Sequence, residues 1–524
     1  MQSRIPSFVV VALLCLPGAI LLLHPTAGAA QPLPPAAPPP SPPPDLESGS
    51  LPGPDDASGD ALPDATARTM DPPVADALPS VTAPPPASPA PAAPAETEYS
   101  VAGHQEGFFF IRSPDGNYVL MPSLRAQIDA NFNVPSFEAP GQPRDTITLR
   151  RVRPELYGSL FGNRIDFLIA ADVAAPIGGL PVTDAYAVIH PTDYFHITVG
   201  QFDVPFSLEN RTSDRFLEAL ERSFAVRNLG TNNKEPGLML TAGPTNHLFL
   251  ASVGVFTGDG QNRRNLDNRF DLAARAFVRP FAAGSSRLLK GLQIGGSLAV
   301  GSRFQTNNAL GERGGWLSTG TGYSFFRSVY TGADGNGTQV GVIPEGTVRR
   351  YGAEIRAPLG PFTLQAEIIH MQADTIESYF ASGVPLRTGG RIEATGLYVM
   401  AQYWLFGDPE LLPEPGLEEM RHLSRGPVSE PGPSFALQAV MRFDYAHTDY
   451  RAGTTINLNQ LGPSQANGTY DYVGVIAGAN LWWTRSVRLG LFYTLHHIDG
   501  LLAVIPAPGQ LYTQEIDVRV ALAL

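Results

Sequence analysis

The stretch Phe195-His196-Ile197-Thr198-Val199-Gly200-Gln201-Phe202-Asp203-Val204-Pro205-Phe206-Ser207 decides how the rest of the chain is read. Phe195, Ile197 and Val199 alternate with His196 and Thr198. A period of two sets one strand face against something apolar and the other against something polar. The strand breaks at Gly200–Ser207, and a second apolar run starts near Leu238. Strand-to-strand joins usually take a handful of residues, and one of roughly thirty is usually functional. This join carries Arg211, Arg215, Arg222, Arg227 and Lys234. A long charged loop between two membrane-type strands predicts a segment folded into a channel as its constriction.

The same alternation recurs outward from this stretch. Leu124, Ala126, Ile128, Ala130 and Phe132 alternate with Arg125, Gln127, Asp129, Asn131 and Asn133. Similar runs lie around residues 274, 352, 367, 441 and 518. A soluble sandwich buries its apolar faces, whereas an outer-membrane barrel turns them to lipid and encloses the polar ones. Three features favour the barrel. The segments approach the ten or so residues needed to cross at a tilt. Charged residues stand in mid-strand on the polar face. Aromatic residues gather at strand ends, as in Tyr403-Trp404, Tyr470-Tyr472, Trp482-Trp483 and Tyr512, like interfacial girdles. No apolar stretch beyond the N-terminus is long enough to span as a helix. The expected fold is all-β, a sixteen-stranded antiparallel transmembrane barrel spanning 99–524. Tight turns such as Gly162-Asn163 and Thr484-Arg485 alternate with longer joins. Residues 407–433 fall on the short-turn side but are long, so either the count slips there or a periplasmic insertion exists.

Ahead of the barrel, residues 1–30 read as a secretory signal. A positive start at Arg4 precedes an apolar run to Leu23 and the small-residue site Ala27-Gly28-Ala29. The rival reading, a membrane anchor, is disfavoured by Pro17 and Gly18 within the run. Cys15 is the only cysteine, so the mature chain holds no thiol and no disulfide. Residues 31–98 are rich in Pro, Ala, Ser, Asp and Gly and read as a disordered, extended arm. The arm is a spacer, or a tether to the cell wall or a periplasmic partner. The formal net charge is −13, and setting aside Arg4 and the arm's net −9 leaves −5 after residue 98. That mild acidity gives no reason to expect nucleic acid as a partner.

Several motifs together resemble the phosphate- and pyrophosphate-selective porins of Gram-negative outer membranes, from about Gly107 to Leu524. Gly107-Phe108-Phe109 through Tyr118 resembles the family's opening hairpin, and Leu149-Arg150-Arg151-Val152-Arg153-Pro154 its second strand. The most specific match is Val199 to Glu209, with Gly200, Gln201, Phe202, Pro205 and Phe206. Leu220-Glu221-Arg222-Ser223 and Arg227-Asn228-Leu229-Gly230 fall at the family's loop motif. Leu405-Phe406-Gly407-Asp408 resembles the start of its late insertion. The resemblance implies a homotrimeric outer-membrane porin, surrounded by lipid, passing small solutes and selecting anions such as phosphate. Two departures stand out. Asp203 occupies a position where the family commonly has Lys, and the expected inward arginines are nearly balanced by inward acids. Arg151 and Arg153 opposite the loop, with its own cations, are the constriction candidates.

Within the loop, Thr212-Ser213-Asp214 is a helix-start signal. Phe216, Leu217, Leu220 and Phe224 follow at helical spacing, with Glu218 and Arg222 as an i, i+4 pair. A short helix packed on the inner wall is expected, its arginines either lining the pore or pairing with acids to hold the loop. His190, His196, His370, His496 and His497 show no metal-site spacing. Asp334-Gly335-Asn336 lacks the rest of a calcium loop. No nucleophile motif frames any Ser, His or Asp. No metal, cofactor or catalysis is expected; the alternative to a channel is a barrel with a structural or envelope-tethering role and a closed lumen.

Overall fold

A computed structural model describes residues 101–523 apart from short stretches, the longest being 135–144, 304–316, 418–434 and 501–510. The signal, the Pro-rich arm and Asp334-Gly335-Asn336 lie outside the described residues. Sixteen antiparallel strands close on themselves: β1 Val119–Asn133, β2 Thr146–Leu160, β3 Ile165–Ala171, β4 Val182–Thr192, β5 Phe195–Asp203, β6 Lys234–Ala242, β7 Phe249–Phe256 and β8 Asp271–Val278. They continue with β9 Gln293–Arg303, β10 Gln339–Leu359, β11 Phe362–Tyr379, β12 Pro385–Phe406, β13 Ala436–Arg451, β14 Gly468–Thr484, β15 Val487–Gly500 and β16 Leu511–Ala523. Neighbours in sequence pair throughout, and β16 returns to β1 with Arg519 opposite Asp129 and Asp517 opposite Asn131. Closure removes the unpaired edges that a bilayer would not tolerate.

The alternation read in the sequence is the alternation of the wall. In β1, Leu124, Ile128 and Phe132 are exposed, while Arg125, Gln127 and Asp129 are buried inside. The aromatic pairs need correcting in detail. Adjacent residues of a strand face opposite ways, so Tyr403 and Trp483 lie on the outer surface while Trp404 and Trp482 are buried in the lumen. Tyr470 and Tyr472, two residues apart, are both buried. Phe406, Phe435 and Trp483 form an outer aromatic cluster, with ring centroids 5.5 Å and 6.0 Å apart.

The wall is uneven. β3, β5, β6, β7 and β8 have only seven to nine residues, whereas β10, β11 and β12 have 21, 18 and 22. The count does not slip at 407. β12 and β13 remain paired neighbours, so their join is a long insertion on the short-turn side. Its described part holds a single 3-10 turn, Pro409–Leu411. Leu411 and Leu412 pack inward on a cluster of Phe216, Trp404, Ala436 and Trp482.

Candidate channel constriction

The join between β5 and β6 folds into the barrel. Gly200 holds φ 125° in β5, and a Cβ there would sit 2.2 Å from the carbonyl oxygen of Ala185. Only glycine allows that approach. Gln201 next to it donates to the Val182 carbonyl at 2.6 Å and accepts from the Asn262 amide at 2.7 Å. Phe202 and Phe206 are fully buried, Phe202 lying edge-on to Tyr186 and Phe256. Pro205 lines a cavity of 510 Å³ at the short-turn end, with Arg211, His190 and His196. The motif therefore bends the chain off the wall and seats the root of the loop.

The far wall then fixes the loop's backbone. Glu367 of β11 accepts from the Leu208 and Glu209 amides at 2.9 and 2.8 Å. Wall side chains reach loop carbonyls: Asn480 to Glu218 at 2.7 Å, Arg442 to Glu221 at 2.7 Å, Arg350 to Leu229 at 3.1 Å, Arg488 to Leu217 and Arg519 to Leu220. A loop in a lumen lacks a ladder for its carbonyls, and buried carbonyls need donors.

The helix forms later than the sequence suggests. α1 spans Phe224–Leu229, capped by Ser223, whose hydroxyl accepts from the Val226 amide at 3.3 Å. Residues 212–222 form turns and bends instead. The reason lies at Asp214, whose carboxylate is taken by Arg125, by Arg151 at 2.9 Å and by Arg153 at 2.7 Å. It is therefore unavailable to cap backbone amides. Nor does Arg222 serve a Glu218 pair: it donates to the Glu209, Asn210 and Thr212 carbonyls at 3.1, 3.3 and 2.9 Å.

The other sequence candidates have these places. Arg151 also meets Glu221 at 3.1 Å, and Arg153 meets Asp172 at 2.9 Å. Arg211 donates to the Asp203 carbonyl. Arg215 reaches Ser123 at 3.2 Å and Glu155 at 3.5 Å. Arg227, in the last turn of α1, lines a second cavity on the long-loop side, with Arg442 and Asp444. Lys234 sits between Asp184 at 2.5 Å and Asp203 at 3.2 Å.

Sequence reading missed Arg150. A bulge opposite Gln127 and Ile128 breaks the alternation of β2. Bulges re-aim side chains, and here consecutive Arg150 and Arg151 both reach Glu221, at 3.0 and 3.1 Å. Arg519 joins them at 2.7 Å and also binds Asp129 at 2.7 Å. Burial alone would raise Asp214 and Glu221. The guanidiniums of Arg125, Arg153 and Arg151 hold Asp214, and those of Arg151, Arg150 and Arg519 hold Glu221, well below the usual carboxylate range.

No curated protein matches the chain. Among solved structures, a loop L8 deletion form of OmpT, an outer membrane protein of Vibrio cholerae, is similar at 9% identity and TM-score 0.46, covering 78% of this chain and 100% of that one. The outer membrane channel DcaP of Acinetobacter baumannii is similar at 12% and 0.43, covering 79% and 99%. An anion-selective porin from Comamonas acidovorans is similar at 10% and 0.44, covering 78% and 100%. The profile of a family described as phosphate-selective porin O and P matches residues 123–499. That match takes in β2 to β14 entire, most of β1 and β15, and the whole inserted loop. With it, the closed lipid-facing wall becomes a porin channel of the Gram-negative outer membrane, and the chain belongs to the phosphate-selective porin O and P family.

Proposed function

We propose that the protein is a passive channel for small solutes, without catalytic turnover, and that its ion preference is weak and toward anions. The observation that carries this is the ion-pair network at the loop. Six arginines, Arg125, Arg150, Arg151, Arg153, Arg215 and Arg519, share five carboxylates, Asp129, Glu155, Asp172, Asp214 and Glu221. A charge acts most where a pore is narrow and poorly wetted. One surplus cation at such a place favours anions locally and slightly. Reversal potentials across a salt gradient in planar bilayers test it. Anion permeability should modestly exceed cation permeability and fall toward parity as salt rises, because screening grows. A cation preference would overturn the reading.

The closed-lumen alternative has one observation in its favour. The inserted segment meets both the loop and the wall: the Gly416 amide donates to Thr212 Oγ1 at 2.9 Å, and Glu414 meets Arg279, next after β8, at 2.9 Å. Stable single-channel steps decide for the channel; repeated insertion with no steps decides for closure. For the remainder, composition supports removal of residues 1–30 as a signal and a solvated arm over 31–98 on the periplasmic side. The uneven wall supports assembly into a homotrimer.

A further inference from the structure

On the long-loop side of the constriction lies a cavity of 190 Å³ whose wall carries five arginines and five carboxylates. The charges balance in number but are not all spent on each other. Asp517 is buried, yet among the described residues its oxygens accept only from neutral groups, Asn131 Nδ2 at 2.7 Å and Thr494 Oγ1 at 2.9 Å. A carboxylate has about four acceptor positions, so two remain. A buried carboxylate without a bonded cation is costly unless something positive reaches it. Arg150 is the opposite case. Its Nε is bound to Glu221 at 3.0 Å, its side chain is 38% exposed, and its two terminal nitrogens carry no hydrogen bond among the described residues. Arg150 stands on β2 and Asp517 on β16, two strand spacings or ~10 Å across the wall with β1 between them. Asp517 lies level with Thr146, four residues along β2 from Arg150, so the long Arg150 side chain closes the distance. One patch of the otherwise polar lining is apolar: Phe224 stacks on Tyr472 at 4.0 Å, and Ile476 and Leu220 line the cavity with them.

We propose that this cavity binds a small zwitterion with an apolar side chain, an amino acid of the leucine type, with its ammonium at Asp517 and its carboxylate at Arg150. The apolar part lies against Phe224 and Tyr472. A ligand with no net charge suits a wall with equal numbers of both signs, whereas a phosphate dianion finds as many carboxylates as guanidiniums. The inference deepens the channel reading and rests on it for the direction of passage. Its binding step stands independently.

The test uses the full chain purified in detergent and the same protein in planar bilayers. L-Leucine is titrated by calorimetry and by current reduction, against isovalerate, isoamylamine and inorganic phosphate. L-Leucine should saturate, with each of the other three at least about tenfold weaker, because each leaves one pole unpaired or adds repulsion. Asp517→Asn should weaken L-leucine by about tenfold and leave isovalerate unchanged, and Arg150→Gln should weaken both. Isovalerate or phosphate binding as tightly as L-leucine overturns the proposal, as does a linear response to L-leucine up to roughly 100 mM. The comparison among ligands needs no variant, so a substitution that fails to fold does not rescue it. Calorimetric saturation without channel steps would sink the channel reading and leave the site standing. Steps without saturation would do the reverse.

Discussion

At Asp214 three guanidiniums converge on one carboxylate, and that meeting explains why the loop does not start a helix where its sequence advertises one. Removing the charge should be costly. Breaking a buried ion pair typically costs about 3–5 kcal/mol, because the partner charge stays buried. Asp214→Asn should therefore loosen the loop and leave Arg125, Arg151 and Arg153 to attract anions. Both effects are measurable, as faster proteolysis at the loop and a raised anion-to-cation permeability ratio; a variant with neither change would remove Asp214 from the constriction. The pH dependence follows from the same residues. Asp214 and Glu221 are held low, so their contribution to docking is complete above the usual carboxylate range, about pH 4. It is lost only as pH falls through their depressed values. Burial, the largest influence at Glu209 and Glu218, raises both despite nearby arginines. Protonating those two favours docking, the opposite sign. The loop should stay docked from neutral pH down past the ordinary carboxylate range and release only in stronger acid. Current noise that opens up between roughly pH 5 and 7 would contradict this.

The scale of single elements shows what the sequence could and could not disclose. All sixteen strands were legible because one wall separates lipid from a polar interior, and side chains must alternate to satisfy both. The failures come where a third surface intervenes. Arg150 was hidden by a bulge that breaks alternation for one residue. Trp404 and Trp482 read as girdle residues, but they face inward to cover Phe216 of the loop. The helix was displaced by an ion pair to residues far away in sequence, which no local pattern records. The candidate cations were legible as a group, but their partners were not, since Arg151 and Arg153 meet loop carboxylates, Arg215 meets one on β2, and Arg222 turns back on carbonyls of its own loop. α1 also depends on its seat. An added Cβ at Gly396 of β12 would meet Leu229 at 2.9 Å and Ala225 at 3.0 Å. Gly396→Val should therefore push α1 off the wall while leaving the barrel's pairing intact, since valine suits a strand. Larger or noisier unit conductance in a barrel that still migrates as folded is the expected result; parental conductance would mean that α1 has another seat.

Taken as one molecule, the barrel has a tall side and a low side, and the difference bears on how many barrels stand together. A transmembrane strand needs about 9–11 residues to cross the hydrocarbon at a tilt. β3, β7 and β8, with 7, 8 and 8 residues, fall short of that, while β10 to β12 exceed it. The outer surface of the low side is also hollow. Ala251, Ala276 and Gly296 lie in a concavity of 760 Å³ bordered by Leu240, Val253, Leu298 and Tyr351. Lipid can thin to meet a short wall, at a modest cost for each ångström of mismatch. Another copy of the same wall removes the mismatch without deforming the bilayer, and small residues let backbones approach. Three copies placing their low sides at a common axis would leave only tall walls facing lipid. Filling the hollow should then break the assembly without harming the barrel. Ala276→Trp should give single folded barrels by mass measurement in mild detergent, whereas Val399→Trp on the outer face of β12 should keep the parental mass. A parent protein that already runs as one barrel, or an Ala276→Trp variant that keeps the parental mass, would place the contact elsewhere or remove it. For three copies about one axis the parental mass should be three times that of the Ala276→Trp barrel; a ratio of two would make the low side the face of a two-fold dimer and overturn the trimer.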